Sequence, residues 1–273
     1  MLKGKMAIDS DLKHLQKVLL SIMKQIDGLC RKHSIVYYLS GGNAIGAIRH
    51  NGFIPWDDDL DIMMTSSNYK KFISVCRKEL DPRIWYIQEA WIDWPGCFTK
   101  IRLKNTLLED VGEWEGIDKK NRGIFIDVFE IVNAPSSKHL KMLQYMGAKM
   151  LNSFALLHKD YKTDSWLKKM AIGCSKIMRN KRIFNLVKSF VFRYNKEKTE
   201  EYGNFFGMSR FHNAFYNKEV FGEPVYHQYE DTLLPVPTDY NLYLTKAFGD
   251  YMQLPPVDQQ KPAHSLYVDF GPY

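Results

Sequence analysis

Hydrophobic residues recur along the chain with two different periods, one typical of helices and one of strands. Residues 9–33 and 66–80 carry apolar side chains at helical spacing, so each range is predicted to form an amphipathic helix. Short apolar runs at 36–40, 60–64 and 123–131 are predicted to be strands. The first half of the chain is therefore predicted to alternate between helices and strands.

The remaining segments place a helical region between two parts of a small mixed sheet. They comprise strands at 83–90, 97–105 and 233–237, short helices at 44–50 and 238–249, and long helical patterns within 138–200. This order predicts an α+β fold, described equally as mixed α/β. We expect a core at 1–135, a basic helical region at 136–225, and a C-terminal segment at 226–273 that packs back on the core.

Positive charge is concentrated in the predicted helical region. The net charge is +7, yet residues 138–198 alone carry 15 Lys or Arg against three acids, a balance of +12 (15 − 3). The rest of the chain therefore sums to −5 (7 − 12). Such a region can attract an anionic membrane surface, a lipid-linked glycan or nucleic acid, or can be the solvated outer face of helices.

Cysteine usage and hydropathy exclude several classes of protein. The four cysteines are far apart and form no CxxC pair, which argues against a zinc site and a disulfide framework. No run of 18 apolar residues predicts a membrane span, and the N-terminal residues lack the apolar run of a signal peptide. We expect a reduced, cytoplasmic setting.

The strongest chemical signal is a group of four aspartates at positions 57, 58, 59 and 61. If 60–64 is a strand, Asp59 and Asp61 point to one face, while Leu60 and Ile62 point into the core. Asp127 is a lone acid within another hydrophobic strand. If the two strands are neighbours, three carboxylates converge, and such a group either shifts the pKa values of its members strongly or binds a cation.

A hard divalent cation, Mg²⁺ or Mn²⁺, is the expected ligand of these carboxylates. Asp57 and Asp58 precede the strand, and either could reach the ion from the loop or face water; Asp58 is expected to face water. The spacing of an EF-hand calcium loop is absent. Taken alone, Asp127 could also be a structural acid bonded to backbone amides.

A glycine pair supplies a second feature of a phosphate site. Gly41-Gly42 follows the predicted strand at 36–40 and precedes a predicted short helix. Without side chains, backbone N–H groups at such a turn can approach phosphate oxygens closely. The pair is a weak signal alone, but a strand, a glycine turn and an Asp-x-Asp form a more specific combination.

This combination resembles the nucleotidyltransferase fold. The run GAIRHNGFIPWDDDLDI (46–62) more closely resembles the LicD family of phosphocholine transferases, relatives of the fukutin group. The stretches that agree in order are KIRLKNT (100–106), GIFIDVFEI (123–131), LLPVP (233–237) and KAFGDYMQLPP (246–256), followed by His264. The resemblance covers about residues 10–265, with 138–225 least distinctive, and makes 1–135 a nucleotidyltransferase-like catalytic core.

The resemblance implies transfer of phosphocholine from CDP-choline to a sugar hydroxyl of a bacterial cell-surface glycan, such as lipopolysaccharide or teichoic acid, with release of CMP. It places metal binding on Asp57, Asp59, Asp61 and Asp127, and catalysis on the last three. A lipid-linked acceptor would place the enzyme at the inner face of the membrane, with peripheral contact through 138–198. No nucleic-acid partner is expected.

One departure from the family affects the donor site. Many relatives read Gly-Thr-Leu-Leu-Gly where this chain reads Gly42-Asn43-Ala44-Ile45-Gly46. Asn43 keeps a side-chain oxygen and adds a hydrogen-bond donor. The fold should survive this change, whereas the contacts to the donor, and the donor itself, stay open between CDP-choline and another CDP-alcohol.

Further residues are candidates for substrate contacts. Arg49, Lys100 and Arg102 are candidate phosphate clamps, the last two sharing a face of one strand. His50 and His264 are candidates for donor or acceptor contacts, or for structural hydrogen bonds. Choline is a quaternary ammonium that favours aromatic faces, and Trp56 adjoins the acidic run. The other aromatics near the strands (Trp85, Tyr86, Trp91 and Trp94) are expected to pack in the core.

Two other functions remain open from the residues. The first keeps the fold and transfers a nucleotide, or the phosphate of another CDP-activated alcohol, to the acceptor. The second is a non-enzymatic module that binds anionic glycan or nucleic acid through 138–198. That function would leave the clustered aspartates without a role.

Overall fold

The computed structural model describes residues 10–109, 118, 121–159, 161, 163–207, 209–262 and 267–273. Within these ranges the chain forms helices α1 (Ser10–Lys32), α2 (Gly41–Ile45), α3 (Ser66–Glu79), α4 (Lys138–Leu156), α5 (Trp166–Ser175), α6 (Lys181–Phe192) and α7 (Tyr240–Phe248). The helices predicted at 9–33, 66–80 and 238–249 are confirmed. No helix in the described ranges has the length and apolar character needed to cross a membrane.

The strands confirm the predicted mixed α/β fold. They are β1 (Tyr38–Leu39), β2 (Asp61–Thr65), β3 (Trp85–Gln88), β4 (Thr99–Leu103), β5 (Leu107–Glu109), β6 (Phe125–Ala134), β7 (Glu201–Gly203), β8 (Phe215–Asn217), β9 (Val225–Tyr229), β10 (Thr232–Val236) and β11 (Tyr267–Asp269). The main sheet has the order β1-β2-β6-β4-β3, and β7 pairs with both β6 and β8. The β2–β6 pair is parallel, whereas the other pairs are antiparallel.

Strand β6 is central because its sequence suits burial on one face. Ile126 and Val128 are fully buried, while the alternate residues Phe125 and Phe129 are half-buried. The first residues of β6 pair with β4 and the middle ones with β2, while the last three pair with β7. One ten-residue strand thereby joins both parts of the sheet.

The strand predicted at 36–40 is shorter than expected. Strand β1 contains only Tyr38 and Leu39, because the chain turns into α2 at Gly41, whose φ is +53°. A side chain is rarely tolerated at this φ, which explains the glycine. Helix α2 continues as a π-helical turn (Gly46–His50) and stops at Asn51, which has a φ of +55°.

Two groups of buried apolar residues form the core. The larger group joins α1 and α3 to the sheet, and it includes Tyr229, Leu234 and Tyr243 from the C-terminal part of the chain. The smaller group joins the end of β6 to α4 and α6. All four cysteines are free, and three of them are buried. The division into 1–135, 136–225 and 226–273 stays a prediction.

Glu130 on β6 gives a testable pH dependence. Its carboxyl accepts hydrogen bonds from the Ser66 hydroxyl and from the Asn195 amide, and burial raises its pKa from 4.5 to about 7. The folded state therefore binds more protons than the unfolded state between these two values. The contribution of Glu130 to stability falls as pH rises through this window and is constant above it.

We expect the Glu130→Gln variant, which cannot ionise, to be more stable than the parent at pH 8 by about 1–3 kcal/mol, with little difference near pH 4. Urea unfolding at both pH values measures this, with the exposed Glu197→Gln as the control. An equal effect of Glu130→Gln at the two pH values would contradict the prediction.

Candidate active site

The parallel pairing of β2 and β6 brings two of the predicted acids together. Asp61 and Asp127 are register partners, and the Asp127 N–H donates to the Leu60 carbonyl at 2.9 Å. Leu60 and Ile62 are fully buried, as the alternation predicts. The two strands are therefore neighbours, as the convergence of carboxylates requires.

The three consecutive aspartates form a compact group before β2. One carboxylate oxygen from each of Asp57, Asp58 and Asp59 lies within 4.8 Å of the others. Asp59 precedes the first residue of β2, so it reaches the group from the loop rather than from a strand face. The loop therefore supplies Asp57, Asp58 and Asp59, whereas the strand pattern predicts that Asp59 lies on a strand.

The prediction that Asp58 faces water is wrong, since this residue is only 3% exposed. The loop is held inward from two sides. The Gln16 amide of α1 donates to the Ile54 carbonyl at 3.3 Å and to the Asp57 carbonyl at 2.9 Å. The Asp57 N–H closes a turn onto the Ile54 carbonyl at 2.8 Å. The helix thereby fixes where the acidic run enters the site.

Asn43 connects the loop to the strand. Its side-chain oxygen accepts from the Asp61 N–H at 2.6 Å. Its amide nitrogen donates to the Asp59 carbonyl at 3.1 Å and to the Asp57 carboxylate at 3.3 Å. At 1% exposed, Asn43 is a buried support of the aspartates. Its predicted contact with substrate stays a prediction.

The glycine pair also serves the aspartate loop. A β-carbon at Gly42 would lie 3.2 Å from a carboxylate oxygen of Asp57, so the glycine lets this acid approach the backbone. The Gly41 N–H donates to the Tyr243 hydroxyl at 3.1 Å. The Gly41 N–H is thus already hydrogen-bonded within the protein. The predicted contact of Gly41-Gly42 with phosphate stays a prediction.

The pKa of Asp61 is raised by its burial and by the neighbouring aspartates. Burial raises the pKa of its carboxyl well above the ordinary range, and Asp59, Asp127 and Asp57 raise it further, against a smaller opposing effect of Lys100. Carboxylates this close together either shift one another's pKa values or are compensated by a cation. A hard divalent ion with oxygen ligands fits this group of side chains.

The Lys100 ammonium group compensates the negative charge of Asp127. Its ammonium group lies 2.7 and 3.0 Å from the two carboxylate oxygens of Asp127. Burial lowers the pKa of Lys100 from 10.5 to about 8, although Asp127 opposes this shift. The ammonium also lies over the Phe125 ring, 3.4 Å from its centre, with Phe98 at 4.8 Å and Trp94 at 5.5 Å.

Arg102 lies on the same face of β4 as Lys100, as the strand spacing predicts, but it has other partners. Its guanidinium carbon lies 4.5 Å from the centre of the Phe125 ring. It donates to the Gln88 side chain at 2.7 Å and to the Gly123 carbonyl at 2.9 Å. Arg102 therefore stabilises the sheet edge, and its role as a phosphate clamp stays a prediction.

Arg49, the candidate phosphate clamp that precedes the acidic run, contacts the C-terminal segment. Arg49 donates to the Tyr251 carbonyl at 2.6 Å and to the Gln253 carbonyl at 3.1 Å, and to the His50 ring at 2.9 Å. The His50 ring meets Trp56 edge to face, with 6.4 Å between centres. Burial and Arg49 lower the pKa of His50. His264 lies outside the described residues.

Several supporting residues have no signal in the sequence. The Tyr229 hydroxyl lies 3.3 Å from the Asn43 amide, and the Glu230 carboxylate accepts from the Phe53 N–H at 3.0 Å. Tyr243, described above, binds the backbone of Gly41. All three come from the last fifth of the chain, and only a tertiary structure reveals that they support the aspartate loop.

Comparison with known proteins defines the class. Residues 34–149 match the family model described as LicD/FKTN/FKRP, nucleotidyltransferase domain. This range contains the aspartate loop, β2 and β6. The mixed α/β fold, the carboxylate group and this match together identify a transferase.

The chain is also similar to lipopolysaccharide cholinephosphotransferase LicD of Haemophilus influenzae, with 27% identity over 269 residues, 93% of this chain and 96% of that protein. Uncharacterized proteins of Rickettsia prowazekii and Rickettsia typhi are each 48% identical over 44 residues, 16% of this chain and 16% and 14% of those proteins. Residues 34–149, which hold the aspartate loop and β6, are thus similar to the nucleotidyltransferase domain of the LicD family.

The role of Asn43 as a support predicts a loss of stability on truncation. Asn43→Ala removes the partner of the Asp61 N–H and of the Asp59 carbonyl, so we expect a loss of about 2–4 kcal/mol in the free energy of unfolding. Urea unfolding measures it, with the exposed Asn185→Ala as the control. A loss no larger than that of the control would show that Asn43 does not hold the loop.

The Lys100–Asp127 pair predicts strong coupling between its members. Lys100→Met leaves the buried Asp127 carboxylate without its ammonium partner, and we expect it to cost about 3–5 kcal/mol of stability. The double variant Lys100→Met/Asp127→Asn should recover most of this loss, because neither charge remains. A double-mutant cycle measures the coupling, and purely additive losses would contradict it.

Proposed function

We propose that this chain transfers phosphocholine from CDP-choline to a sugar hydroxyl of a bacterial cell-surface glycan, such as lipopolysaccharide or teichoic acid, and releases CMP. The observation that carries the proposal is the carboxylate group of the 57–61 loop beside Asp127. It occurs in a chain similar over nearly its whole length to a lipopolysaccharide cholinephosphotransferase.

The proposal includes a divalent ion, Mg²⁺ or Mn²⁺, held by Asp57, Asp59, Asp61 and Asp127. The close approach of the loop carboxylates supports it, and the buried Asp58 joins the same group. When bound, the ion would neutralise negative charge on the donor diphosphate. Burial and the neighbouring aspartates raise the pKa of Asp61, and the positive charge of such an ion would oppose that effect.

The reaction is a substitution at the phosphorus next to choline. The acceptor oxygen forms a bond to this phosphorus while the bond to the CMP oxygen breaks, and the hydroxyl proton passes to a carboxylate. Asp127 is our candidate for this base. Lys100 holds Asp127 in place through its ammonium group, and its role as a phosphate clamp is part of the same proposal.

The choline group needs an aromatic face that is free to receive it. The rings of Phe125, Phe98 and Trp94 already contact the Lys100 ammonium. Trp56 is half-buried and follows the π-helical turn that carries His50. We therefore retain Trp56 as the candidate contact for the quaternary ammonium.

A second candidate keeps the site and changes the donor. Asn43 departs from the family pattern and is buried among the aspartates, so transfer of a nucleotide, or of the phosphate of another CDP-alcohol, is the alternative. In both cases we place the enzyme in the cytoplasm, where CDP-activated donors are made, at the inner face of the membrane if the acceptor is lipid-linked.

A turnover assay tests the proposal. With Mg²⁺ and glycan extract, we expect CMP release from CDP-choline in preference to CDP-ethanolamine, CDP-ribitol and CDP-glycerol. Asp59→Asn and Asp61→Asn should each lower turnover by at least about 100-fold, because each removes a charged ligand. The exposed Asp258→Asn serves as the control. Near-normal turnover in either site variant would overturn the metal assignment.

The position of the label separates the two chemistries. CDP-choline labelled at the phosphorus next to choline should leave the label on the glycan if phosphocholine is transferred. Nucleotide transfer would instead place cytidine on the acceptor and release labelled phosphocholine. A preference for another CDP-alcohol would keep the mechanism and replace the donor.

A further inference from the structure

Helix α5 exposes nearly all of its apolar side chains. Of its ten residues only Ser175 is buried, and Trp166 at the start is 69% exposed. Leu167 and Met170 are also exposed, and at 100° per residue they lie on the same face as Trp166. A face of this composition in water is unfavourable, and it is typical of a binding surface.

The exposed apolar surface continues beyond α5. Ile177 is exposed in the 3₁₀ turn (Lys176–Arg179), and Leu186 on α6 is 71% exposed. Helix α4 packs against both α5 and α6, and the inward side chains of this group, including Met178 and Val191, form the smaller core. The inward faces of these helices are therefore already packed, and the exposed apolar residues belong to their outer surface.

The segment that carries this surface is also strongly basic. Residues 165–196 contain nine cationic residues and no acid: Lys168, Lys169, Arg179, Arg182, Arg193 and four more lysines. On the helical wheel Lys169 lies about 60° from Trp166, beside the apolar face. Cations flanking an aromatic and aliphatic face are the pattern of a helix lying in the interface of an anionic bilayer.

The composition disfavours the other occupants. A second copy of the same surface would bring its lysines and arginines against those of the first, which opposes a dimer through this face. Nucleic acid would engage the cations and can stack a base on Trp166, but it would leave the aliphatic Leu167 and Leu186 in water. A lipid surface satisfies both kinds of side chain, because its acyl boundary takes the apolar groups and its headgroup phosphates take the cations.

We propose that α5, together with the 3₁₀ turn and the exposed side of α6, docks on the surface of an anionic phospholipid bilayer. Trp166, Leu167 and Met170 enter the boundary between headgroups and acyl chains, while Lys169 and Lys176 face headgroup phosphates. Resting on the proposed function, this docking would hold the carboxylate site close to a lipid-linked glycan acceptor.

Vesicle binding by the full-length protein, without donor or metal, tests the docking. We expect sedimentation with phosphatidylcholine vesicles that contain phosphatidylglycerol, and little with phosphatidylcholine alone. Trp166→Ser/Leu167→Ser should weaken partitioning by at least about tenfold. Lys169→Ser/Lys176→Ser should weaken it by roughly tenfold, matched to Lys71→Ser/Lys78→Ser on the exposed side of α3, which should bind as the parent does.

Fluorescence locates the inserted side chain. Lipids brominated near the glycerol end of the acyl chain should quench part of the tryptophan emission, and Trp166→Phe should abolish this quenching while still binding vesicles. Circular dichroism confirms that each variant is folded.

Equal binding to neutral and anionic vesicles, or unchanged binding by the Trp166/Leu167 variant, would overturn the docking. Binding to single-stranded RNA that survives loss of the apolar pair, without vesicle binding, would assign the surface to nucleic acid instead. The docking variants should keep the parental turnover with a water-soluble acceptor fragment. Loss of vesicle binding is thereby distinguishable from failure of the proposed chemistry.

Discussion

The structure depends on one constraint: several carboxylates must be held close together at the start of β2. Their repulsion favours separation, so the protein fixes the loop by groups that do not need a bound ion. Gln16 holds the loop backbone from α1, and Asn43 bonds to both the loop and the strand. The parallel pairing of β2 with β6 then sets Asp127 beside Asp61.

The same constraint explains the polar groups behind the aspartates. Lys100 is buried with Asp127 and is enclosed by aromatic rings, which keeps its ammonium group at one place on β4. Buried ion pairs contribute little net stability, but they hold charged groups in a defined arrangement. The positions of the acids are therefore set by the fold, before any substrate arrives.

The strand-borne part of the site could be predicted from the sequence because it follows local rules. The alternation around Asp127 predicts its strand, and the apolar residues around Asp61 predict the other. The burial of Asp58 could not be predicted in this way. It depends on a hydrogen bond from Gln16 to the Asp57 carbonyl, which joins two residues 41 positions apart and draws the loop inward. The contact of Asn43 with Tyr229 spans 186 residues, and no local pattern encodes it.

The supports contributed by Tyr229, Glu230 and Tyr243 have a consequence for folding. Each of them contacts a residue from the first fifth of the chain, at Asn43, Phe53 or Gly41. Contacts of such long sequence separation form slowly, because the chain loses the conformational entropy of closing a large loop before the contact contributes any stabilisation. During synthesis the aspartate loop would therefore wait, partly unsupported, until almost the entire chain has left the ribosome. Until then its carboxylates are held by Gln16, by Asn43 and by the pairing of β2 with β6 alone.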